Sequence, residues 1–190
     1  MNVVTNYDVF GLGNAVKASK YPKSTDVDSC TPEITNTVVK LAGCKTGTGH
    51  DQFLTGIVVQ FDLTFTVKAW TEAERYHFLD FVSSQSTMHK ITEFDLDSAY
   101  IDYVDPRMIL IMKELVATYN ANPCIENYLK VLYSNPCGFR LTARMTTNYR
   151  QLKTIYQQRK NHRLPEWRWF CAWIESLPHS EFIIGGADRG

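Results

Sequence analysis

The stretch Asn148 to Trp167 (NYRQLKTIYQQRKNHRLPEW) combines three arginines, Arg150, Arg159 and Arg163, with an apolar stripe and a proline that can open a second helix. At about 100° per residue, Tyr149, Leu152, Ile155 and Tyr156 share one helical face, and Arg159 falls in the same arc. An always-charged guanidinium turned toward the core needs a carboxylate, a phosphate or a polarised carbonyl to meet it. The spacing therefore predicts an inward Arg159 that contacts a ligand, with Arg150, Lys153, Gln157 and Lys160 on the solvated side. Leu164-Pro165-Glu166 is a sound helix start, since proline's missing N–H is not needed there. Free N–H groups, the helix dipole, His162 and Arg163 would then converge on the turn between the helices, a usual way to hold phosphate. The other reading of the same residues is a helical hairpin whose basic side chains are merely solvated.

The remaining candidates carry less when taken singly. His50 follows a turn rich in glycine (Gly43, Gly47, Gly49) and fits either a ligand contact or a loop cap. Ser83, Ser84 and Ser86 could hold phosphate oxygens or bond the backbone at a helix end. Arg75 and His77 flank Tyr76, with Glu72 and Glu74 near enough in sequence to neutralise Arg75 in a surface ion pair. Trp167, Trp169 and Trp173 read as core and interface fillers. The chain holds no H-E-x-x-H, no G-x-G-x-x-G after a strand, no G-x-x-x-x-G-K-[ST] and no G-x-S-x-G, which sets aside the enzyme classes those motifs mark.

The elements that must position these residues can be read in part. Asn2 to Phe10 reads as a first strand and Gly11 to Lys20 as a short helix before a polar loop. Thr31-Pro32-Glu33 opens a helix reaching Leu41, and the glycine turn then delivers His50 and Asp51. From Ile57 to Phe65, apolar residues alternate with Val58, Gln60, Asp62 and Thr64, the period of a half-buried strand. Trp70 to Val82 reads as a helix that runs into Ser83-Ser84-Gln85-Ser86-Thr87. Pro106 starts a long apolar helix, Ile125 to Tyr133 a further one, Gly138 to Met145 a strand, and two basic helices close the chain. This order predicts an α+β fold without regular βαβ repetition.

At 190 residues the chain suits one domain, 1–190, with a sizeable core. Its 20 basic and 20 acidic residues cancel, so the net field gives no reason to expect a nucleic-acid polymer or an anionic membrane as partner. Five scattered cysteines without a C-x-x-C suggest a reducing cytoplasm and no structural metal. The N-terminus reads as lacking a signal peptide, and no stretch approaches the roughly twenty apolar residues of a membrane span.

Taken in order, these segments resemble the flavin-dependent thymidylate synthases, the ThyX family, over most of the chain. Val38 to Leu63 (VVKLAGCKTGTGHDQFLTGIVVQFDL) is similar to the family's helix, Gly-His turn and strand, with His50 where the family has a flavin-contacting histidine. Arg75 to Ser86 (RYHFLDFVSSQS) is similar to the signature RHR-x-x-S-x-N-E-x-S with one extra residue. Asn148 to Trp167 is similar to the N-x-R-x-L, L-R and A-Q-W-E motifs, again with one residue inserted. The resemblance implies a single domain with a central, mostly antiparallel sheet packed with helices and a C-terminal basic helical pair. It implies FAD held by His50, His77, Asn148 and Arg150, and a uracil nucleotide of the dUMP type held by Arg75, Ser84, Gln85, Ser86, Arg159 and Arg163. Arg159 matches the arginine that holds the pyrimidine and stabilises negative charge on its ring, which makes it the catalytic candidate. Lys130 stands in place of the family's phosphate-binding arginine before the strand. A homotetramer with sites between subunits is also implied.

The departures are as specific. The signature's second arginine is His77, its Asn-Glu pair is Ser83-Ser84, and its last arginine is Met88. In the family, reduced flavin delivers hydride and a folate supplies the carbon, while the protein orients and stabilises charge. Losing two charged hydrogen bonds, at about 1.5–3 kcal/mol each, weakens affinity on the order of a hundredfold or more. Two functions therefore compete. One is a divergent, phage-type enzyme that uses FAD to modify a uracil nucleotide at ring carbon five. The other is an inactive relative that captures a nucleotide or nucleotide-derived signal in the host cytoplasm, for instance as a counter-defence sponge. A third reading, an assembly protein using only the scaffold, would need no pocket.

Overall fold

In the computed structural model, which describes residues 2–185, four strands form one antiparallel sheet in the order β1-β2-β4-β3. They are β1 (Val4–Phe10), β2 (Val58–Thr66), β3 (Asp80–Ser84) and β4 (Arg140–Asn148). Val4 lies opposite Leu63 across β1 and β2, Phe61 opposite Met145 across β2 and β4, and Phe81 opposite Met145 across β3 and β4. Nine helices occur among the described residues: α1 (Leu12–Ala18), α2 (Asn36–Ala42), α3 (Val67–Ala73), α4 (Thr87–Lys90), α5 (Pro106–Ala121), α6 (Ile125–Ser134), α7 (Tyr149–Arg159), α8 (Pro165–Glu175) and α9 (Glu181–Ile184). The α+β architecture expected from the element order is the one observed.

The period-two pattern of β2 decides the layering. Val59, Phe61, Leu63 and Phe65 are buried on one face, with Ala143 and Met145 of β4 beside them. The closing helix α8 supplies the opposite layer: ring centroids lie 4.7 Å apart for Phe61 and Trp173, and 4.9 Å for Phe65 and Trp167. Aromatic pairs at such separations add about 0.5–1.5 kcal/mol each beyond the area they bury. A second apolar cluster, including Ile91, Tyr100, Met112, Val131 and Phe139, forms where α5 and α6 pack.

Both central strands run straight into capped helices. At the end of β2, the Thr66 hydroxyl accepts the Ala69 N–H and starts α3; at the end of β4, the Asn148 carboxamide oxygen accepts the Gln151 N–H at 2.9 Å and starts α7. Gly11, with φ +77°, sits so close to the Gly56 carbonyl that a Cβ there would lie 2.4 Å from its oxygen, which ties α1 to the loop carrying Asp51.

Three local expectations are corrected. The helix expected over Trp70 to Val82 ends at Ala73, and the chain turns into β3, because Phe81 and its neighbours pair with β4 in an open sheet position that local helical spacing does not reveal. Ser83 and Ser84 therefore lie on an exposed edge strand, and Ser86 stands at the N-cap of α4 without a side-chain cap bond. The helix expected from Pro32 begins at Asn36, where Thr35 caps it. Lys153, expected in water, is fully buried. Its ammonium donates to Asp51 Oδ2 at 3.0 Å and to the carbonyls of Ala42, at 2.7 Å, and Cys44. A buried ammonium persists when an anion and carbonyls replace its water, as they do here.

Removing Asp51 would strand that ammonium. Asp51→Ala should lower the unfolding free energy by about 3–5 kcal/mol in a urea titration near neutral pH.

Candidate functional site

Two faces of the molecule carry the chemistry-bearing residues, and α7 joins them. At its N-terminal half, Arg150 Nε donates to Asp51 Oδ1 at 3.2 Å while Lys153 holds Oδ2, so a single buried carboxylate fixes the turn that ends in His50. That turn lines a cavity of about 880 Å³. Gly49, His50, Gln52 and Phe53 form one wall; Lys20, Lys23, Thr31, Thr35 and Thr37, with Val38 and Leu41, form others. Among the described residues no aspartate or glutamate lines it. The chamber is cationic, rich in hydroxyls and partly apolar, the composition that suits a planar ring carrying anionic groups.

The C-terminal end of α7 carries Arg159, whose side chain is buried among its neighbours. Nε donates to the Tyr76 hydroxyl at 2.7 Å, which in turn donates to Gln158 Oε1 at 2.9 Å. Nη1 donates to Glu72 Oε2 at 2.9 Å, and the guanidinium carbon lies 4.7 Å from the Trp167 ring centroid. His162 completes the group. The Leu164 N–H lies 3.2 Å from Nδ1, and Nε2 lies 3.3 Å from Glu72 and 2.8 Å from Arg159 Nη1.

Glu72 is therefore the counter-ion of this corner, held also by Lys68 at 3.3 Å. Burial pushes its carboxyl up, but the Lys68 hydrogen bond and then the charges of His162 and Arg159 prevail and hold it below the ordinary carboxylate value. Burial, and next the Arg159 charge, push His162 below the usual imidazole range. Burial also pushes the nearby Cys171 thiol up to about 12, so it stays protonated and is no nucleophile.

The surface ion pair expected of Arg75 with Glu72 and Glu74 is not found among the described residues: Glu72 turns to Arg159, His162 and Lys68, and Arg75 and His77 are exposed on the turn to either side of Tyr76. An anion at the start of α8 would meet a carboxylate of the chain itself. Glu166, in its first turn and 4% exposed, already places a carboxylate there and accepts the Thr66 hydroxyl at 2.5 Å. Arg163 is exposed, and Arg168 Nη1 donates to the carbonyls of His162 and Arg163 across the turn.

The sequence candidates thus separate into groups. His50 lies on the large chamber. Asn148 and Arg150 lie at the start of α7, occupied by the helix cap and Asp51. Arg75, His77, Arg159 and Arg163 cluster around Tyr76 and the end of α7. Gln85 and Ser86 line a smaller cavity of about 270 Å³ with Lys90, Glu93 and Phe94, next to exposed Ser84. Lys130 lies on α6 and pairs with Glu126 at 2.8 Å. Sequence reasoning missed Glu72 as the partner of Arg159, and it missed Lys20 and Lys23, for which no spacing signal exists. Among the described residues no group of three or more His, Cys, Asp or Glu could hold a metal ion, and all five cysteines are free.

No protein-family model matches the chain, and no curated protein matches it in sequence. Solved structures do. The flavin-dependent thymidylate synthase ThyX from Helicobacter pylori, complexed with FAD and dUMP, superposes with a TM-score of 0.75 at 14% identity, over 96% of this chain and 98% of that one. This chain has the ThyX fold. A second structure of the Helicobacter pylori enzyme with FAD and dUMP gives 0.75 at 16% identity over 98% of each chain. The UMP/dUMP methylase PolB from Streptomyces cacaoi, bound with 5-Br UMP, gives 0.64 at 11% identity over 100% of this chain and 97% of that one. At such identities the likeness is one of fold, and no helix of this ThyX-fold chain is long and apolar enough, among the described residues, to cross a membrane.

The titration of the corner has a definite sign. A histidine depressed in the folded state resists protonation there but not when unfolded, so stability falls as pH drops below about 6.5. Glu72, also depressed, adds a further loss below about pH 4.5. Thermal melts from pH 7.5 to 4 should show a falling midpoint, and His162→Asn should flatten the upper part of that fall.

Proposed function

We propose that this chain binds a nucleotide, using the ThyX fold as a capture scaffold and not as a thymidylate synthase. The single observation that carries the reading is the chamber of about 880 Å³ beside His50, lined by no acidic side chain among the described residues and with Lys20 and Lys23 on its wall. Its volume lies in the range of small-molecule and cofactor sites. Lysines and hydroxyls suit phosphate oxygens, and Phe53 with Val38 and Leu41 suits a planar ring.

Against synthase chemistry stands Arg159. In the resembling family its counterpart stabilises negative charge on the pyrimidine ring, whereas here Glu72 already neutralises it at 2.9 Å. A guanidinium that carries its own carboxylate contributes little to a developing anion. His77, Ser83, Ser84 and Met88 remove further charge from the signature.

In this reading Arg75, Ser84, Gln85, Ser86, Arg159 and Arg163 form the nucleotide side, and they meet the chamber across copies of the chain in a homotetramer. Support comes from their separation within one chain and from the exposed apolar residues Phe78, Phe81 and Val82 on and beside the edge strand β3. Soluble monomers seldom leave such a patch open.

The second reading is FAD-dependent modification of a uracil nucleotide at ring carbon five, favoured by the fold shared with proteins solved with FAD and dUMP. Flavin would supply the hydride. Its fit here is partial: of the four residues matched to flavin contacts, His50 lies on the chamber, Asn148 caps α7 and Arg150 is held by Asp51.

Calorimetry with dUMP, UMP and FAD decides between them. Micromolar nucleotide binding by a colourless protein, weakened at least about tenfold in His50→Ala and Lys23→Glu, is the expected result. No binding of any of the three removes the capture reading, and copurified flavin with turnover establishes the enzyme instead. Light scattering should give a mass well above one chain of 21.8 kDa.

A further inference from the structure

Arg159 offers five N–H donors, and the chain uses only part of them. Nε serves Tyr76 and Nη1 serves Glu72, while no atom of the described residues accepts from Nη2. Nη2 is not sealed in either: the buried side-chain nitrogens and oxygens without a partner are Glu166 Oε2, Trp167 Nε1 and Trp173 Nε1. The Arg159 side chain keeps 10% exposure. An acceptor arriving from outside can therefore reach two unspent N–H groups.

What can arrive is set by Glu72. Its carboxylate is bound to the neighbouring nitrogen of the same planar fork, so an anion on Nη2 would sit a few ångströms from a fixed negative charge in a half-dry corner. Like charges so placed repel strongly, and the guanidinium charge that would offset the repulsion is already shared with Glu72. A neutral carbonyl oxygen meets no such repulsion and still satisfies the donors.

We infer that Glu72 is the specificity-determining residue of this corner: it blocks phosphate and carboxylate at Arg159 and leaves Nη2 to a neutral carbonyl, such as that of an imide or amide ring. The assignment rests on reading the corner as one side of the nucleotide site, with the phosphate held elsewhere. Glu72 acts here by neutralising a charge, and its counterpart effect on His162 is separable from any role in holding the fold.

The test uses inorganic phosphate, which needs no nucleotide site. In titration calorimetry of the full chain, Glu72→Gln should bind phosphate at least about tenfold more tightly than wild type. The gain should vanish in the Glu72→Gln, Arg159→Ala double variant. Glu72→Asp, which keeps the charge but withdraws it by one methylene, should fall between and serves where the glutamine variant does not fold. NMR titration of His162 in Glu72→Gln should move its pKa further down, because the carboxylate that raises it is gone; a purely structural role for Glu72 predicts no such shift. Phosphate affinity unchanged within twofold in both variants, or a gain that survives loss of Arg159, overturns the inference. Absence of dUMP and FAD binding in wild type overturns the nucleotide reading alone, since the phosphate comparison stands without it.

Discussion

A cation that leaves water needs an anion, and α7 turns two cations inward. Lys153 is answered by Asp51 and Arg159 by Glu72. These two ion pairs hold one helix at points six residues apart, about 9 Å of helical rise. One pins the glycine-rich turn and the chamber wall to the helix. The other pins the end of α3, the Tyr76 turn and the start of α8. Because α7 grows directly out of β4, the sheet, the chamber and the arginine corner form one mechanical unit.

That arrangement explains why residues suited to anion binding are largely spent inside the chain. The guanidinium expected to meet a ligand meets Glu72, and the helix start expected to cradle phosphate holds Glu166. Arg150 meets Asp51. What no carboxylate of the described residues neutralises is different in kind: the lysines and hydroxyls that line the chamber, and the Nη2 group of Arg159, which no described residue accepts from. Such a set favours recognition over charge stabilisation, since a neutralised arginine can still donate hydrogen bonds but adds little field.

How much was legible depended on whether a residue's partner was near in sequence. The alternation from Ile57 to Phe65 gave β2, and the apolar stripe from Tyr149 to Tyr156 gave α7, because periodicity is local. The inward turn of Arg159 was legible for the same reason. Its acceptor was not, since Glu72 lies on another helix and only packing of α3 on α7 brings them together. Lys153 failed similarly: on the wheel it belongs to the polar side, yet the turn at Asp51 folds over it. Trp70 to Val82 failed because the open edge of β4 recruited the second half as β3.

The sequence by itself determined the α+β class, the buried face of β2, the apolar stripe of α7, and which motif residues stand where the ThyX signature would have them. These follow from spacing along one chain, which 3.6-residue and two-residue periods translate directly into faces. Tertiary structure alone decided which charges are satisfied, where the chamber lies, and that the motif residues are dispersed over separate surfaces of a single chain. Those outcomes depend on contacts between groups far apart in sequence, 102 residues for Lys153 and Asp51, and a charge's fate is settled by whichever opposite charge the fold brings within hydrogen-bonding reach.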